Sequence, residues 1–166
     1  MHGRPRGARL FRWMVSLALA SCLPMVAARA VTPTPQRLSG SAAAAEVTSA
    51  WVRLLPEALP AAGYFVLRNT GAQPLQLMGA SSPAWAEVSL HRSLESAGES
   101  TMMPVASVTV PAHGHVSFAP GGYHLMLMHA ATPLKAGNKA QITLKFADGT
   151  QLPVDFKLRP VDATGP

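Results

Sequence analysis

The sequence predicts an all-β domain, an antiparallel sandwich or small barrel. Three observations predict it. Apolar and polar residues alternate at period two in several short runs. Glycine and proline punctuate the chain at close spacing. No stretch combines a helical period with helix caps.

The expected strands follow in order. The first two are Val47–Leu55 and Gly63–Asn69. Asn69-Thr70-Gly71 then supplies turn residues before Pro74–Gly79. Trp85–Arg92, Val105–Val110 and His115–Phe118 come next. Ala119-Pro120-Gly121-Gly122 offers a preset φ and a positive-φ residue before Tyr123–His129. The last pair, Gln141–Phe146 and Leu152–Leu158, alternates cleanly on both sides of Asp148-Gly149. That dipeptide between alternating runs is a strong hairpin signal. Trp51, Tyr64 and Trp85 read as core aromatics.

Before these strands the chain has a different character. Its 166 residues carry 14 Lys and Arg against 8 Asp and Glu, a formal charge of +6. Arg4, Arg6, Arg9, Arg12 and Arg29 lie in the first thirty residues, which contain no acid. Removing these five leaves nine bases against eight acids. The body is therefore nearly neutral, which argues against nucleic-acid binding. The leading arginines precede an apolar run from Trp13 to Ala28, which closes on Ala28-Arg29-Ala30. This is the pattern of an export signal over residues 1–30. The run is short and interrupted by Ser16, Ser21 and Pro24, so no transmembrane span is expected in the mature form. Leu19-Ala20-Ser21-Cys22 resembles a bacterial lipobox, which makes lipid anchoring at Cys22 the lesser alternative. Residues 31–45, rich in Pro, Thr, Ser and Ala, read as a flexible linker. Residues 46–160 form the domain and 161–166 a short tail.

Cys22 is the one cysteine, so cleavage after Ala30 leaves a mature chain without thiols. It then has no disulfide and no thiolate metal site. The histidines and methionines are clustered instead. His91, His113, His115, His124 and His129 lie between residues 91 and 129, with Met102, Met103, Met126 and Met128. Only Met78 of the body's ten such residues lies outside. Strand alternation places His124, Met126 and Met128 on one face, with Leu125 and Leu127 opposite. His91 likewise faces away from Val88 and Leu90. Uncharged thioethers with imidazoles suit Cu(I), a soft ion tolerant of low coordination numbers. Thioethers also cannot form disulfides outside the cytoplasm, although they can oxidise to sulfoxide.

The spacing carries a family resemblance. His91, ten residues, Met102, twenty-one residues, His124, one residue, Met126 resembles the signature of the PCuAC-type periplasmic copper chaperones. The flanks are similar too: Ala50-Trp51-Val52-Arg53, Ala61-Ala62-Gly63-Tyr64-Phe65, Val88-Ser89-Leu90-His91, Val108-Thr109-Val110-Pro111-Ala112, Pro120-Gly121-Gly122-Tyr123 and Pro133-Leu134-Lys135-Ala136-Gly137. The resemblance implies a cupredoxin-like Greek-key β-sandwich with His91, Met102, His124 and Met126 as ligands of one Cu(I). It also implies a periplasmic carrier delivering copper toward cytochrome c oxidase assembly, alongside a Sco-type thioredoxin-like protein or an oxidase subunit. Some relatives have a Met/His-rich tail. This chain ends Val161-Asp162-Ala163-Thr164-Gly165-Pro166, so one principal site is expected. A monomer is expected as well. Relatives often have Gly-Leu after the last ligand strand, where this chain has His129-Ala130. Met128 and His129 stand as auxiliary candidates. His113-Gly114-His115 reads as a polar loop and Met103 as packing.

Other functions fit less well. No catalytic spacing, phosphate loop or paired carboxylate is present, so no enzyme is expected. A blue-copper electron carrier needs a Cys thiolate beside two His, which the mature chain lacks. The remaining alternatives are an exported module that binds a protein partner and a general copper-storage or resistance protein.

Overall fold

The computed structural model describes residues 38–56, 59–96 and 99–166. The expected export signal and most of the expected linker lie outside the described residues. The described chain opens with a helical turn, α1 (Gly40–Ala44), and continues in ten strands. These are β1 (Ala45–Arg53), β2 (Ala61–Asn69), β3 (Leu75–Ser81), β4 (Trp85–Ser96), β5 (Glu99–Pro104), β6 (Val108–Val110), β7 (His115–Phe118), β8 (Tyr123–Ala130), β9 (Lys139–Phe146) and β10 (Gln151–Arg159). Among the described residues no helix is long and apolar enough to cross a membrane.

The strands form one hydrogen-bonded sheet in the order β5-β4-β8-β7-β2-β1-β10-β9-β3-β6. The pairings β1–β10 and β7–β8 are parallel and the others antiparallel. The sheet curls until β3, near one end of the order, packs against β4, near the other. The closed-over sheet is a sandwich around one core.

Alternation builds that core as the sequence implied. In β9, Ala140, Ile142, Leu144 and Phe146 are buried, whereas Lys139, Gln141 and Lys145 are exposed. In β10, Leu152, Phe156 and Leu158 are buried. Phe65 of β2 stacks on Phe118 at 4.2 Å between ring centroids and meets the edge of Phe156 at 5.6 Å. Such aromatic contacts add to the burial of area itself. The Asp148-Gly149 turn joins β9 and β10, with Gly149 at φ +79°. That left-handed conformation is open to glycine at no steric cost. The Asp148 carboxylate accepts from Thr150 Oγ1 at 2.6 Å and from the backbone N–H of Ser41 at 2.7 Å. These bonds hold its pKa well below the usual carboxylate range, and they tie α1 to the hairpin.

The structure departs from expectation in four places. Residues 40–44, within the expected linker, form α1, and Ala42 is buried. The expected strand Trp85–Arg92 runs on to Ser96 and turns back as β5, an element without a clean alternation of its own. Pairing along β4 shapes β5, rather than a core face in its sequence. The expected strand Val105–Val110 narrows to Val108–Val110.

The fourth departure has the largest consequence. The β1–β2 register shifts by one residue between Thr48 and Trp51, where Ser49 has φ +53°. A bulge of one residue reverses which face later side chains occupy. Before it, Ala45 and Val47 face the core. After it, Val52 does. Trp51 and Arg53 are thereby turned to the outer face. Trp51 and Tyr64 are buried, yet neither belongs to the core cluster, which Trp85 does join. The core-aromatic reading is thus corrected for Trp51 and Tyr64.

Candidate metal centre

The antiparallel pair β4–β8 sets the site. Its register opposes Leu90 to Leu125 and Val88 to Leu127 on the core face. The alternate pairs are His91 with His124, Ser89 with Met126 and Glu87 with Met128. Directly opposed residues of an antiparallel ladder share a face. On the other side of β4, Ser93 opposes Met102 of β5, which puts Met102 on that same outer face. Three strands therefore bring His91, Met102, His124 and Met126 to one patch. The imidazole centroids of His91 and His124 lie 5.9 Å apart.

Burial grades across the patch. His124 is 5% exposed, His91 and Met126 are half-buried, and Met102 is 54% exposed. His124 Nδ1 donates to the carbonyl of Gly122 at 3.1 Å. A carbonyl only accepts, so the neutral ring carries its proton on Nδ1 and its lone pair on Nε2. That Nε2 is buried and has no hydrogen-bond partner in the protein. His91 Nε2 bonds Ser89 Oγ at 3.1 Å, and its Nδ1 is the buried atom without a partner. Each ring thus has one nitrogen fixed by a hydrogen bond and one unsatisfied. A buried unsatisfied polar atom costs about 1–3 kcal/mol. Fixing one imidazole nitrogen so that the other can ligate is the usual arrangement at metal sites. Among the described residues no three His, Cys, Asp or Glu side chains converge as a metal site. A metal held here would take thioethers beside the two imidazoles.

The pKa of His91 is lowered from its ordinary 6.5, chiefly by burial and then by repulsion from His124, while Glu87 acts the other way. The sign follows from linkage. A depressed folded-state pKa adds stability that is present above pH 6.5 and is lost as pH falls below it. The metal-free protein should therefore melt at lower temperature at pH 5 than at pH 7. His91→Gln should flatten that dependence, as read by paired thermal melts.

The wall behind His124 was not legible in the sequence. Tyr64 lies 6.4 Å from His124 between ring centroids, and Trp51 lies 4.7 Å from Tyr64. Arg53 donates to the Tyr64 hydroxyl at 2.8 Å and sits 5.5 Å from that ring's centroid. Burial raises the Tyr64 pKa, with Arg53 opposing the shift. This stack lies on the β2–β1 side of His124, across β8 from His91.

The auxiliary candidates lie elsewhere. Met128 shares the face but stands one pair beyond Met126, opposite Glu87. His129, at φ +56°, is exposed and lines a separate groove with Leu54, Leu59, Trp85 and Leu134. The structure does not bring His129 to the other ligand candidates. His113 and His115 are exposed on the β6–β7 turn and β7. Met103 opposes Arg92, on the face away from Met102, and is 43% exposed rather than packed.

A family model described as "Putative lipoprotein LpqE-like" matches residues 45–158. "Putative lipoprotein Lxx21020" of Leifsonia xyli subsp. xyli is 36% identical over 141 residues, 84% of this chain and 81% of that protein. The solution structure of CuI-DR1885 from Deinococcus radiodurans is 35% identical with a TM-score of 0.56, over 67% of this chain and 75% of that one. The apo PCuAC domain of PmoF2 has a TM-score of 0.62 at 22% identity, over 74% of this chain and 95% of that one. At that identity the likeness concerns the fold, and the fold is the expected cupredoxin-like β-sandwich.

Proposed function

The chain belongs to the LpqE-like family, which is the PCuAC-type family, and from that premise we propose that it is an exported Cu(I) carrier. His91, Met102, His124 and Met126 hold the ion. The observation that carries this reading is the His91–His124 pair. Each ring presents one buried, unpartnered nitrogen beside thioether side chains on the same face. The Cu(I)-bound solution structure of the Deinococcus relative supports the same cargo.

The graded burial gives the carrier a release order. Thioethers bind more weakly than thiolates, so an acceptor with cysteines can displace them. Met102, exposed on β5 at the end of the sheet, is the first ligand an incoming thiolate meets. The imidazoles, less exposed than Met102 and fixed by Gly122 and Ser89, let go last. The acceptor we favour is a Sco-type thioredoxin-like protein or an oxidase subunit on the route to cytochrome c oxidase assembly. This choice rests on the family resemblance alone.

Export takes one of two forms. A signal cleaved after Ala30 frees the domain into the periplasm. Lipidation of Cys22 tethers it by residues 23–37. The lipoprotein descriptions of the family and of the Leifsonia relative favour the tether. Mass spectrometry of the exported N-terminus separates the two by the presence or absence of a lipid on Cys22.

The test of the carrier reading is an anaerobic Cu(I) titration against a competing chelator. One ion per chain should bind tightly. A variant with alanine at His91, Met102, His124 and Met126 should lose that stoichiometric binding. Retained affinity in the variant would sink the assignment.

A further inference from the structure

The two ends of the sheet differ. At one end β6 is three residues long, too short to template much pairing. At the other, β5 pairs with β4 through six consecutive residue pairs without a register shift. Among the described residues no strand pairs with the second edge of β5. Native proteins blunt such edges with short strands, charges, proline or bulges. β5 has Glu99 and Pro104 at its ends, and residues 100–103 between them carry no charge and no proline.

The backbone of that stretch has a definite orientation. The Val105 N–H donates to the Leu90 carbonyl at 2.9 Å, which brackets the opposed pair His91–Pro104. Antiparallel pairs alternate between those that exchange both hydrogen bonds and those that exchange neither. His91–Pro104 is of the second kind, and so, two residues on, is Ser93–Met102. The N–H and C=O of Met102 therefore point off the sheet, as do those of Ser100, while Thr101 and Met103 bond to β4. The open edge is thus centred on the most exposed ligand position. Apolar side chains stand on both its faces. Met102 is exposed on the ligand face, and Met103 and Leu94 are exposed on the other.

We propose that the protein exchanging copper with this one docks on this edge, by adding an extended, cysteine-bearing segment antiparallel to β5. An extended backbone supplies donors and acceptors at the spacing that Ser100 and Met102 present. A residue directly opposite Met102 shares its face, at roughly 5.5 Å between Cα atoms. A cysteine there meets the copper. Its thiol proton goes to solvent, its sulfur binds Cu(I) and the Met102 sulfur leaves, with no change of oxidation state. Apolar residues beside that cysteine cover Met103. The copper role rests on the carrier reading. Strand addition itself does not.

The test adds a short peptide of alternating Thr and Val around one central cysteine to the metal-free full chain. Its control is the same peptide methylated at every backbone nitrogen. Amide hydrogen exchange is followed by NMR. With the unmethylated peptide at tenfold above its Kd, the Met102 and Ser100 amides should exchange about tenfold more slowly. Those of Thr101 and Met103, already bonded to β4, should change far less. The methylated peptide should protect none of them. Ser100→Pro removes one outward N–H and leaves the β4 ladder intact. It should weaken peptide binding about threefold to tenfold, the worth of one hydrogen bond, and keep Cu(I) affinity. From the copper-loaded chain, the unmethylated peptide should take Cu(I) at least about tenfold faster than the methylated one at equal thiol concentration.

Uniform protection along β5, equal effects of the two peptides, or unweakened binding in Ser100→Pro overturns the edge site. Slow exchange at Met102 and Ser100 before any peptide is added assigns the edge to a second copy if dilution relieves it, and to a segment of the same chain if it does not. Either result overturns the docking. Alternate protection with equal copper-transfer rates overturns the copper role. Alternate protection in a protein that binds no Cu(I) defeats the carrier reading and leaves strand addition standing.

Discussion

Replacing His124 by alanine should lower Cu(I) affinity by more than about 100-fold, since losing even an outer partner of a ligand costs about 10–100-fold. His124 is the most buried of the four candidates and sits at the centre of the patch, between His91 and the Tyr64 wall. Its Nδ1–H is committed to Gly122, so only Nε2 can ligate, and that atom is already stripped of hydrogen bonds. The apo fold should tolerate the change. The substitution removes an unsatisfied buried nitrogen together with one hydrogen bond to a carbonyl, and those terms oppose each other. Circular dichroism should therefore report a folded protein, while chelator competition reports lost copper. Met128→Leu is the matched control. It alters a thioether on the same face one pair beyond Met126, and its affinity should stay within about threefold of the wild type, below the loss expected for even an outer partner. A loss equal to that of His124→Ala would move the ligand set along β8.

Phe65→Ala should give the largest loss of stability, about 3–5 kcal/mol by the usual cost of deleting a buried aromatic ring. Phe65 is 1% exposed and contacts two rings from strands distant in sequence. The ring's removal leaves a cavity between the two layers that Phe118 and Phe156 cannot fill without moving. Thermal and denaturant melts should show a midpoint lower by roughly 10–20 °C. Phe65 and Tyr64 are neighbours on β2 but face opposite sides. At a temperature where Phe65→Ala remains folded, its Cu(I) affinity should match the wild type. A strong loss of affinity without a loss of stability would mean that the two faces are not separable.

Much of this molecule was readable in advance. Alternation in β9 and β10, the Asp148-Gly149 turn and the Leu125/Leu127 face of β8 are local patterns, and they came out as read. The spacing from His91 to Met126 was readable as a family signature, and the fold it implied is the one found. Where local pattern was weak, the reading failed. Residues 93–104 show no clean period because the β4–β5 arm has no core face, so its strand character comes from pairing alone. The turn of helix at Gly40–Ala44 lies in a low-complexity stretch, and what holds it is the distant carboxylate of Asp148.

The charge of the chain had a similar history. Most of the +6 resides in residues 1–30, and the nearly neutral body gave no hint of a basic feature. Arg53 and Arg159 are 106 positions apart in sequence and become neighbours only because β1 runs parallel to β10. Net charge is a sum and cannot report such a juxtaposition.

The sequence by itself determined the fold class, the core of most strands and the identity of the soft donor atoms, because each is written in short-range period or residue chemistry. The tertiary structure alone decided which side chains surround those donors. It paired His91 with His124 across β4 and β8 and left one nitrogen of each without a partner. It also turned Trp51 and Arg53 out of the core through a single extra residue at the Ser49 bulge. The physical reason is that strand register carries a period of two, so one inserted residue exchanges inside for outside, and only the partner strand reveals the insertion.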